Sequence, residues 1–261
     1  GKRELVESLP AAPRGVAILN QDDPRVREMA AYTQARVMTY GTSPEAHLWA
    51  DEVELMGLRG VRMTLHEGKT SVPVEASLLG RHSVYAVLRA AAAGLVEGLT
   101  WEEIRAGLAS RGPRPRMVVK QGRDGIVLID DAYNASPPAV LAALDFLAEL
   151  PHAGRRVAVL GDMLELGPYE QEGHRQVGLR AAEVLSELVV VGEAARLIAE
   201  GARSRGMSAA RVHWAADSGQ AVDVVSSILR PGDLVLVKGS RAIHLEQVVD
   251  ALCDEEATIE S

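Results

Sequence analysis

The second half of the chain alternates short, continuously apolar runs with segments whose apolar residues recur at helical spacing. The apolar runs occupy residues 126–130, 156–161, 188–192, 211–215 and 233–239. Helical spacing is seen, for example, in Val140, Leu144 and Leu147. Strands that are apolar on both faces are typical of a parallel sheet covered by helices on each side. The pattern therefore predicts an α/β domain with a Rossmann-like parallel sheet.

A hairpin is predicted at the start of this domain. Residues 116–121 and 126–130 are both strand-like, and Gly-Arg-Asp-Gly at residues 122–125 favours a tight turn between them. An antiparallel strand is therefore expected beside the first strand of the parallel sheet.

Residues 1–110 show a different order of elements. Residues 15–20 and 35–41 are strand-like, and a helix is predicted between them from about residue 23 to residue 32. Alternating strands are predicted at residues 53–58, 61–68 and 71–80, and helices at residues 82–97 and 101–109. The Pro- and Gly-rich residues 110–115 indicate a boundary between two domains, residues 1–114 and 115–261.

Composition narrows the class of protein. A chain of 261 residues is long enough for two domains, and its net charge of −8 disfavours a broad surface for nucleic acid or anionic membranes. The single cysteine, Cys253, excludes an internal disulfide and favours a reducing compartment, so we expect a cytoplasmic protein. No apolar run reaches the roughly 20 residues that a membrane span needs. The chain lacks an initiator Met and opens within a helical pattern, which predicts a piece of a longer protein.

Polar residues follow three of the predicted strands. The first group is Asp130, Asp131, Tyr133 and Asn134, the second is residues 161–167 followed by His174, and the third is Lys238, Gly239, Ser240 and Arg241. Ligands of parallel sheets bind beyond the carboxyl ends of the strands. The alternative for the first group is that Asn134 or Ser136 caps the next helix. Three polar strand ends at one edge of a sheet favour a binding site.

Four sequence segments carry a resemblance to a known family. "DDAYNASP", "AVLGDMLELG", "GHRQVG" and "LVLVKGSR" occur in this order, with "AILNQDDP" and "LLGRHSVYAVLRAAAAGL" upstream of them. Together they resemble the Mur ligases of peptidoglycan synthesis, and among these the members that add D-alanyl-D-alanine to a UDP-N-acetylmuramoyl tripeptide. The resemblance covers nearly the whole chain.

The resemblance implies that this chain is the C-terminal part of a central ATPase domain followed by a Rossmann-like C-terminal domain. It also implies ATP-driven amide-bond formation through an acyl phosphate, with UDP-N-acetylmuramoyl tripeptide and D-alanyl-D-alanine as substrates, ATP and Mg²⁺ as cofactors, and a monomeric enzyme. The phosphate-binding sequence G-x-x-x-x-G-K-[ST] does not occur in the 261 residues, so we expect no turnover by this chain alone.

A nucleotide site that includes Asp131, Tyr133 and Asn134 is implied by the same resemblance. Asp131 matches the family aspartate that hydrogen-bonds the ATP ribose. Arg116 matches the family arginine that reaches the nucleotide phosphates, although Pro115 here replaces the glycine before it. Arg116 is one of two expected catalytic residues.

The other expected catalytic residue is Lys2. It falls where the family has a lysine that is carbamylated, and a carbamate supplies the oxygen ligand that Mg²⁺ requires. Lys2 is therefore also the candidate metal ligand.

Adenine recognition is expected to depart from the family pattern. The helix that typically opens with G-x-H-N-x-x-N begins here with Gly-Arg-His-Ser-Val-Tyr-Ala at residues 80–86. Ser83 and Ala86 replace two asparagines whose amides approach the adenine in the family. The Ser83 hydroxyl can make one such contact, and His82 or Tyr85 is the candidate for packing on the base.

The cationic strand end Lys238, Ser240 and Arg241 is assigned to the substrate side, because a cation facing a cleft is costly without an anion. His174 is expected either to reach the same cleft or to lie at a solvated helix start. His174 is therefore a candidate substrate-binding residue, and the solvated helix start is the alternative.

Other polar residues have simpler explanations. Asn20 and Asp22 are expected to end a strand and to cap the following helix. His47, His66 and His152 have no spacing typical of metal ligands and are expected at the surface.

Three rival functions are considered. Another amide ligase of the superfamily, such as a folylpolyglutamate synthase, would share the architecture, but the pair of "DMLELG" and "KGSR" argues against it. A nicotinamide oxidoreductase is disfavoured because no G-x-G-x-x-G follows a strand. A non-catalytic Mur-like binding module stays compatible with the missing phosphate loop.

Overall fold

A computed structural model describes residues 2–110 and 117–253. The chain divides into two compact units, Gly1–Pro113 and Arg114–Ser261. The predicted boundary at residue 114 falls on residues outside the described ranges and stays a prediction. Among the described residues, no helix combines the length and the apolarity needed to cross a membrane.

The first unit contains a five-stranded sheet in the order in which the strands occur along the chain. The strands are β1 Val16–Asn20, β2 Arg36–Gly41, β3 Leu48–Leu55, β4 Val61–Glu67 and β5 Thr70–Ala76. The first three are parallel and the last three antiparallel. Leu48, Met63 and Leu65 point to the covered face, where they pack in one core cluster with Val87 and Leu88.

Strand β3 begins five residues before its predicted start. Its pairing with β4 shifts register between Asp51 and Glu54, and Glu52 lies in the left-handed region with φ 50°. This bulge interrupts the alternation of side chains, so only the part that follows it shows a strand pattern in the sequence.

The helices of the first unit are α1 Lys2–Glu7, α2 Pro24–Arg27, α3 Val84–Val96 and α4 Trp101–Ala109. A capping box between Thr100 and Glu103 starts α4 at the predicted residue. The helix predicted over residues 23–32 is wrong in length, because α2 ends at Arg27 and a 3₁₀ helix, Glu28–Tyr32, follows. Neither segment has a buried side chain, so little tertiary packing supports a longer α-helix there.

The second unit contains a six-stranded sheet. Its strands are β6 Val118–Gln121, β7 Val127–Asp131, β8 Arg156–Gly161, β9 Glu187–Val191, β10 Val212–Ala215 and β11 Leu234–Lys238, arranged in the order β10-β9-β8-β11-β7-β6. All pairs are parallel except β6 with β7, which form the predicted hairpin. Asp124 in its turn adopts φ 55°. The α/β prediction with a parallel sheet is confirmed.

Five helices cover this sheet: α5 Pro137–Glu149, α6 Glu170–Val184, α7 Arg196–Ser204, α8 Ser218–Ile228 and α9 Glu246–Leu252. The central strand β11 is buried at every position and lies between β7 and β8. In register, Lys238 faces Asp131 on β7 and Leu160 on β8. The fold thereby brings the carboxyl ends of these three strands together.

Candidate functional site

An ion pair joins two of the three polar strand ends in the second unit. Lys238 Nζ lies 2.6 Å from Asp131 Oδ2 and donates a second hydrogen bond, 2.9 Å long, to the carbonyl oxygen of Asn134. Both charged side chains are buried, with 4% of Lys238 and 9% of Asp131 exposed. Gly239 follows, and a Cβ at this position would lie 2.7 Å from Leu245 Cδ1, so a larger residue there would require the Leu245 side chain to shift.

The alternative that Asn134 or Ser136 caps α5 is wrong. Ser136 is the N-cap residue, but its side chain makes no capping hydrogen bond. Asn134 Oδ1 accepts from the adjacent Ala135 N–H, not from the helix. Helix α5 begins with Pro137 and Pro138, which have no N–H groups, so there is little for a cap to satisfy. The polar segment after β7 therefore requires another explanation.

Asp130 and Asp131 point to opposite faces of the sheet, as successive strand residues do. Asp130 Oδ2 lies 3.0 Å from Lys120 Nζ on the hairpin strand β6, and its Oδ1 accepts from Ala132 N–H. Sequence reasoning missed this second acid–lysine pair. Its only signal is the hairpin register, which puts Lys120 two residues from the partner of Asp130.

Tyr133 and Arg241 form the exposed part of the site. Tyr133 is 59% exposed, and the guanidinium carbon of Arg241 lies 5.6 Å from the centre of its ring. This cation–π contact places a positive charge beside an aromatic surface at the end of β11. Such a surface can receive an anion that carries an apolar group.

The loop after β8 is fixed by two side chains. His174 Nε2 accepts from Met163 N–H at 3.1 Å, and Ser240 Oγ accepts from Leu164 N–H at 2.9 Å. Because Nε2 is an acceptor, the proton of the ring lies on Nδ1 and is donated to the Glu170 carbonyl at 2.7 Å. His174 is fully buried, so the prediction of a solvated helix start is wrong. Both ring nitrogens bind the protein itself.

Asp162, in the same loop, belongs to the second polar strand end, but the sequence indicated no role for it. Its Oδ1 accepts from Ala195 N–H at 2.6 Å, at the entrance to α7. Burial raises the pKa of this carboxyl, and hydrogen bonds from the Ala195 and Ala194 backbones oppose that shift. Its partner is 33 residues away in the sequence, so no local pattern reveals it.

In the first unit, the expected capping role belongs to Asp23, not to Asp22. Asp23 Oδ1 accepts from the N–H groups of Arg25 and Val26 at the start of α2. Asp22 Oδ2 instead accepts from the backbone and hydroxyl of Thr42 and from the Tyr85 hydroxyl at 3.0 Å. Burial first, and then the bond to Asp22, raise the pKa of Tyr85. Asp22 therefore connects β1, β2 and α3.

The two nucleotide-site candidates of the first unit, His82 and Ser83, differ in solvent exposure. Ser83 is buried and its hydroxyl donates to the Leu79 carbonyl at 2.7 Å, whereas His82 is exposed. Lys2 is exposed on α1. Arg116 lies outside the described residues. Within the described ranges, no three His, Cys, Asp or Glu side chains are grouped as metal ligands.

All three histidines expected at the surface have structural contacts, and His47 Nδ1 accepts from the Thr39 N–H at 3.1 Å. His66 stacks on Trp49 with ring centres 3.9 Å apart and bonds Asp51 at 2.7 Å and Ser71 at 2.9 Å. His152 Nε2 bonds the Gly232 carbonyl. Both are half-buried, so the prediction is wrong for them, and it is confirmed for the exposed His47.

Two family descriptions match the chain. "Mur ligase middle domain" matches residues 1–94, and "Mur ligase, glutamate ligase domain" matches residues 115–241. The second range contains the whole strand-end cluster from Asp131 to Arg241.

Relatives and solved structures agree with this match. Proteins named "UDP-N-acetylmuramoyl-tripeptide--D-alanyl-D-alanine ligase" from Mycobacterium bovis and Mycobacterium tuberculosis are each 38% identical over 276 residues, which cover 98% of this chain and 54% of the relative. The crystal structure of MurF from Acinetobacter baumannii aligns with a TM-score of 0.77 and 28% identity, over 91% of this chain and 51% of that one. The chain thus spans about half the length of the relatives it matches.

Proposed function

This chain belongs to the Mur ligase family, and we propose on that basis that the protein containing it joins D-alanyl-D-alanine to UDP-N-acetylmuramoyl tripeptide at the expense of ATP. The observation that carries the proposal is the set of charged residues where β7, β8 and β11 end, within the range that matches the family. The names of the 38% identical relatives support the choice of substrates.

The proposed reaction first gives the tripeptide carboxylate a leaving group. A carboxylate is a poor electrophile, so an oxygen of the tripeptide carboxylate first attacks the γ-phosphorus of ATP and ADP departs. The amine of D-alanyl-D-alanine then attacks the acyl carbon, and the tetrahedral intermediate collapses with loss of phosphate. The anions involved repel one another, and cationic groups must neutralise them.

The nucleotide role of Asp131 is supported by its position at the end of β7. A carboxylate has about four acceptor positions, and Lys238 occupies one of them. A ribose diol can bind the same carboxylate. Tyr133 is exposed beside it and Asn134 follows, so both stay candidates for the nucleotide site.

Mg²⁺ is proposed as the ion that neutralises the ATP phosphates and polarises them for attack. Lys2 is exposed on α1, so CO₂ can reach its amine, and the resulting carbamate would supply one oxygen ligand. Arg116 is proposed to neutralise phosphate as well.

Arg241 is the strongest substrate-side candidate, because it is the exposed cation of the strand-end cluster. We propose that it faces anionic groups of the substrates, whereas Ser240 and His174 hold the loop that borders them.

ATP and a UDP-linked substrate favour a reaction in the cytoplasm. A monomeric state stays a prediction.

An acceptor panel tests the proposed function. The full-length protein is given ATP and Mg²⁺ with UDP-N-acetylmuramoyl tripeptide and either D-alanyl-D-alanine, D-glutamate or L-glutamate, and in a parallel reaction with a folate and L-glutamate. ADP and the amide product are measured. We expect ADP and product only with D-alanyl-D-alanine. Product from L-glutamate on a folate substrate would identify a folylpolyglutamate synthase, and no ADP with any substrate would identify a binding module.

Nucleotide selectivity provides a second prediction. Ala86 lies half-buried in the first turn of α3, where the family has an asparagine whose amide can both donate and accept. Ala86→Asn in the full-length protein is expected to raise the ratio of kcat/KM for ATP over GTP about tenfold, the equivalent of ~1.4 kcal/mol. Ala90→Asn, on an exposed face of α3, is the control. Equal ratios in the wild type and both variants would show that residue 86 does not read the base.

A further inference from the structure

Lys238 is buried to an extent that lysines seldom reach. Only 3% of the residue is exposed, at the end of a strand that is buried along its whole length. A buried ammonium is costly unless it is paired and hydrogen-bonded. Here the ammonium pairs with the Asp131 carboxylate at 2.6 Å and donates to the Asn134 carbonyl at 2.9 Å.

These two partners lie on one segment of chain. Asp131 ends β7 and Asn134 lies three residues later, so the ammonium closes a short loop from β7 onto β11. Tyr133 lies inside this loop and is directed outward, with 59% of its surface exposed. The lysine therefore holds the segment that carries both the carboxylate and the aromatic ring.

The neighbouring residues of β11 have different environments. Ser240 is buried and binds the Leu164 N–H of the loop after β8, whereas Arg241 is exposed and lies over Tyr133. Lys238 faces β7, Ser240 faces the loop after β8, and Arg241 faces solvent. A substrate carboxylate could meet Arg241 directly, whereas the ammonium of Lys238 is buried and already donates to Asp131 and Asn134.

We propose that Lys238 is a positioning residue for the nucleotide site, acting through Asp131 and Asn134, and not a ligand of the acceptor dipeptide. The proposal rests on the proposed function, because it takes Asp131 as the acceptor of a ribose hydroxyl. One carboxylate oxygen is fixed by the ammonium, and this orients the carboxylate toward the nucleotide. It replaces the assignment of Lys238 to the substrate side.

A double-mutant cycle in the full-length protein tests this proposal. Lys238→Met, Asp131→Asn and the double variant are compared by calorimetric titration with ADP and by the KM values for ATP and D-alanyl-D-alanine. Lys238→Met is expected to weaken ADP binding about tenfold in the wild-type background and less than about twofold in the Asp131→Asn background, because coupled residues are not additive. The KM for D-alanyl-D-alanine is expected to stay within about twofold in all variants.

Lys120→Met is the matched control, since it removes the lysine of the neighbouring pair with Asp130. It is expected to leave ADP binding unchanged. Unaltered ADP binding in a folded Lys238→Met protein, or a tenfold rise in the KM for D-alanyl-D-alanine, would overturn the proposal. If Lys238→Met does not fold because the buried Asp131 loses its cation, the double variant is compared with Asp131→Asn. Equal KM values for the dipeptide support the proposal, and a higher value in the double variant overturns it. Absence of dipeptide ligation in the wild type would reject the proposed function instead, while the ADP titrations would still test the coupling.

Discussion

Replacing Arg155 with Met is expected to lower the free energy of unfolding of the second unit by about 3–5 kcal/mol, the usual cost of removing one partner of a buried ion pair. Arg155 donates from Nε and Nη2 to the two oxygens of Asp233, at 3.1 and 2.7 Å. The Asp233 side chain is 2% exposed, so the variant leaves a buried negative charge without its cation. Arg155 also reaches Glu187 and the Ile228 carbonyl, which ties the amino ends of β8, β9 and β11.

Urea unfolding followed by circular dichroism measures this loss. Arg180→Met is the control, because Arg180 pairs with Asp145 at the same 2.7 Å but with side chains 33% and 56% exposed. Water and salt screen such a pair, so its removal is expected to change stability little. Equal losses in the two variants would show that burial of Asp233 does not determine the effect.

Replacing His174 with Phe is expected to destabilise the fold by about 1–3 kcal/mol, since the buried Met163 N–H is left without a partner. The imidazole connects this N–H to the Glu170 carbonyl across the loop after β8, and the carbonyl keeps its helical hydrogen bond from the backbone N–H of residue 174 in the variant. Phe fills a similar volume, so the loss reports mainly on hydrogen bonding. We also expect the Met163 amide to exchange its hydrogen faster.

His152→Phe is the control for this experiment. His152 makes one bond, to the Gly232 carbonyl, and is half-buried, so its removal is expected to cost about 1 kcal/mol. We expect this variant to leave the hydrogen-exchange rate of the Met163 amide unchanged. A His174→Phe protein as stable as the wild type, with Met163 still protected, would show that the ring does not fix the loop.

The strands of the second unit are predictable because burial on both faces leaves a continuous apolar run. The predicted residues 156–161 agree with β8 Arg156–Gly161, and the hairpin turn at residues 122–125 follows from its two glycines. In the first unit the same reasoning fails at β3, where a bulge at Glu52 breaks the alternation. Local pattern predicts regular elements and misses local irregularities.

The candidate site is only partly predictable for a related reason. Sequence position puts Asp131 and Lys238 at strand ends, but it does not indicate that they pair, because 107 residues separate them. The same holds for Asp22, whose partner Tyr85 is 63 residues away. Such pairs depend on which elements are neighbours in the fold. The order of the strands in the sheet is a property of the whole domain, which a short sequence pattern does not reveal.

Transfer of an oxygen atom tests the proposed acyl phosphate most directly. The full-length protein is given ATP, Mg²⁺, D-alanyl-D-alanine and UDP-N-acetylmuramoyl tripeptide whose reacting carboxylate carries oxygen-18 on both oxygens, and the released phosphate is analysed by mass spectrometry. We expect one oxygen-18 in each phosphate, with the other retained in the new amide carbonyl. Released phosphate without oxygen-18, at a rate equal to that of amide formation, would contradict it.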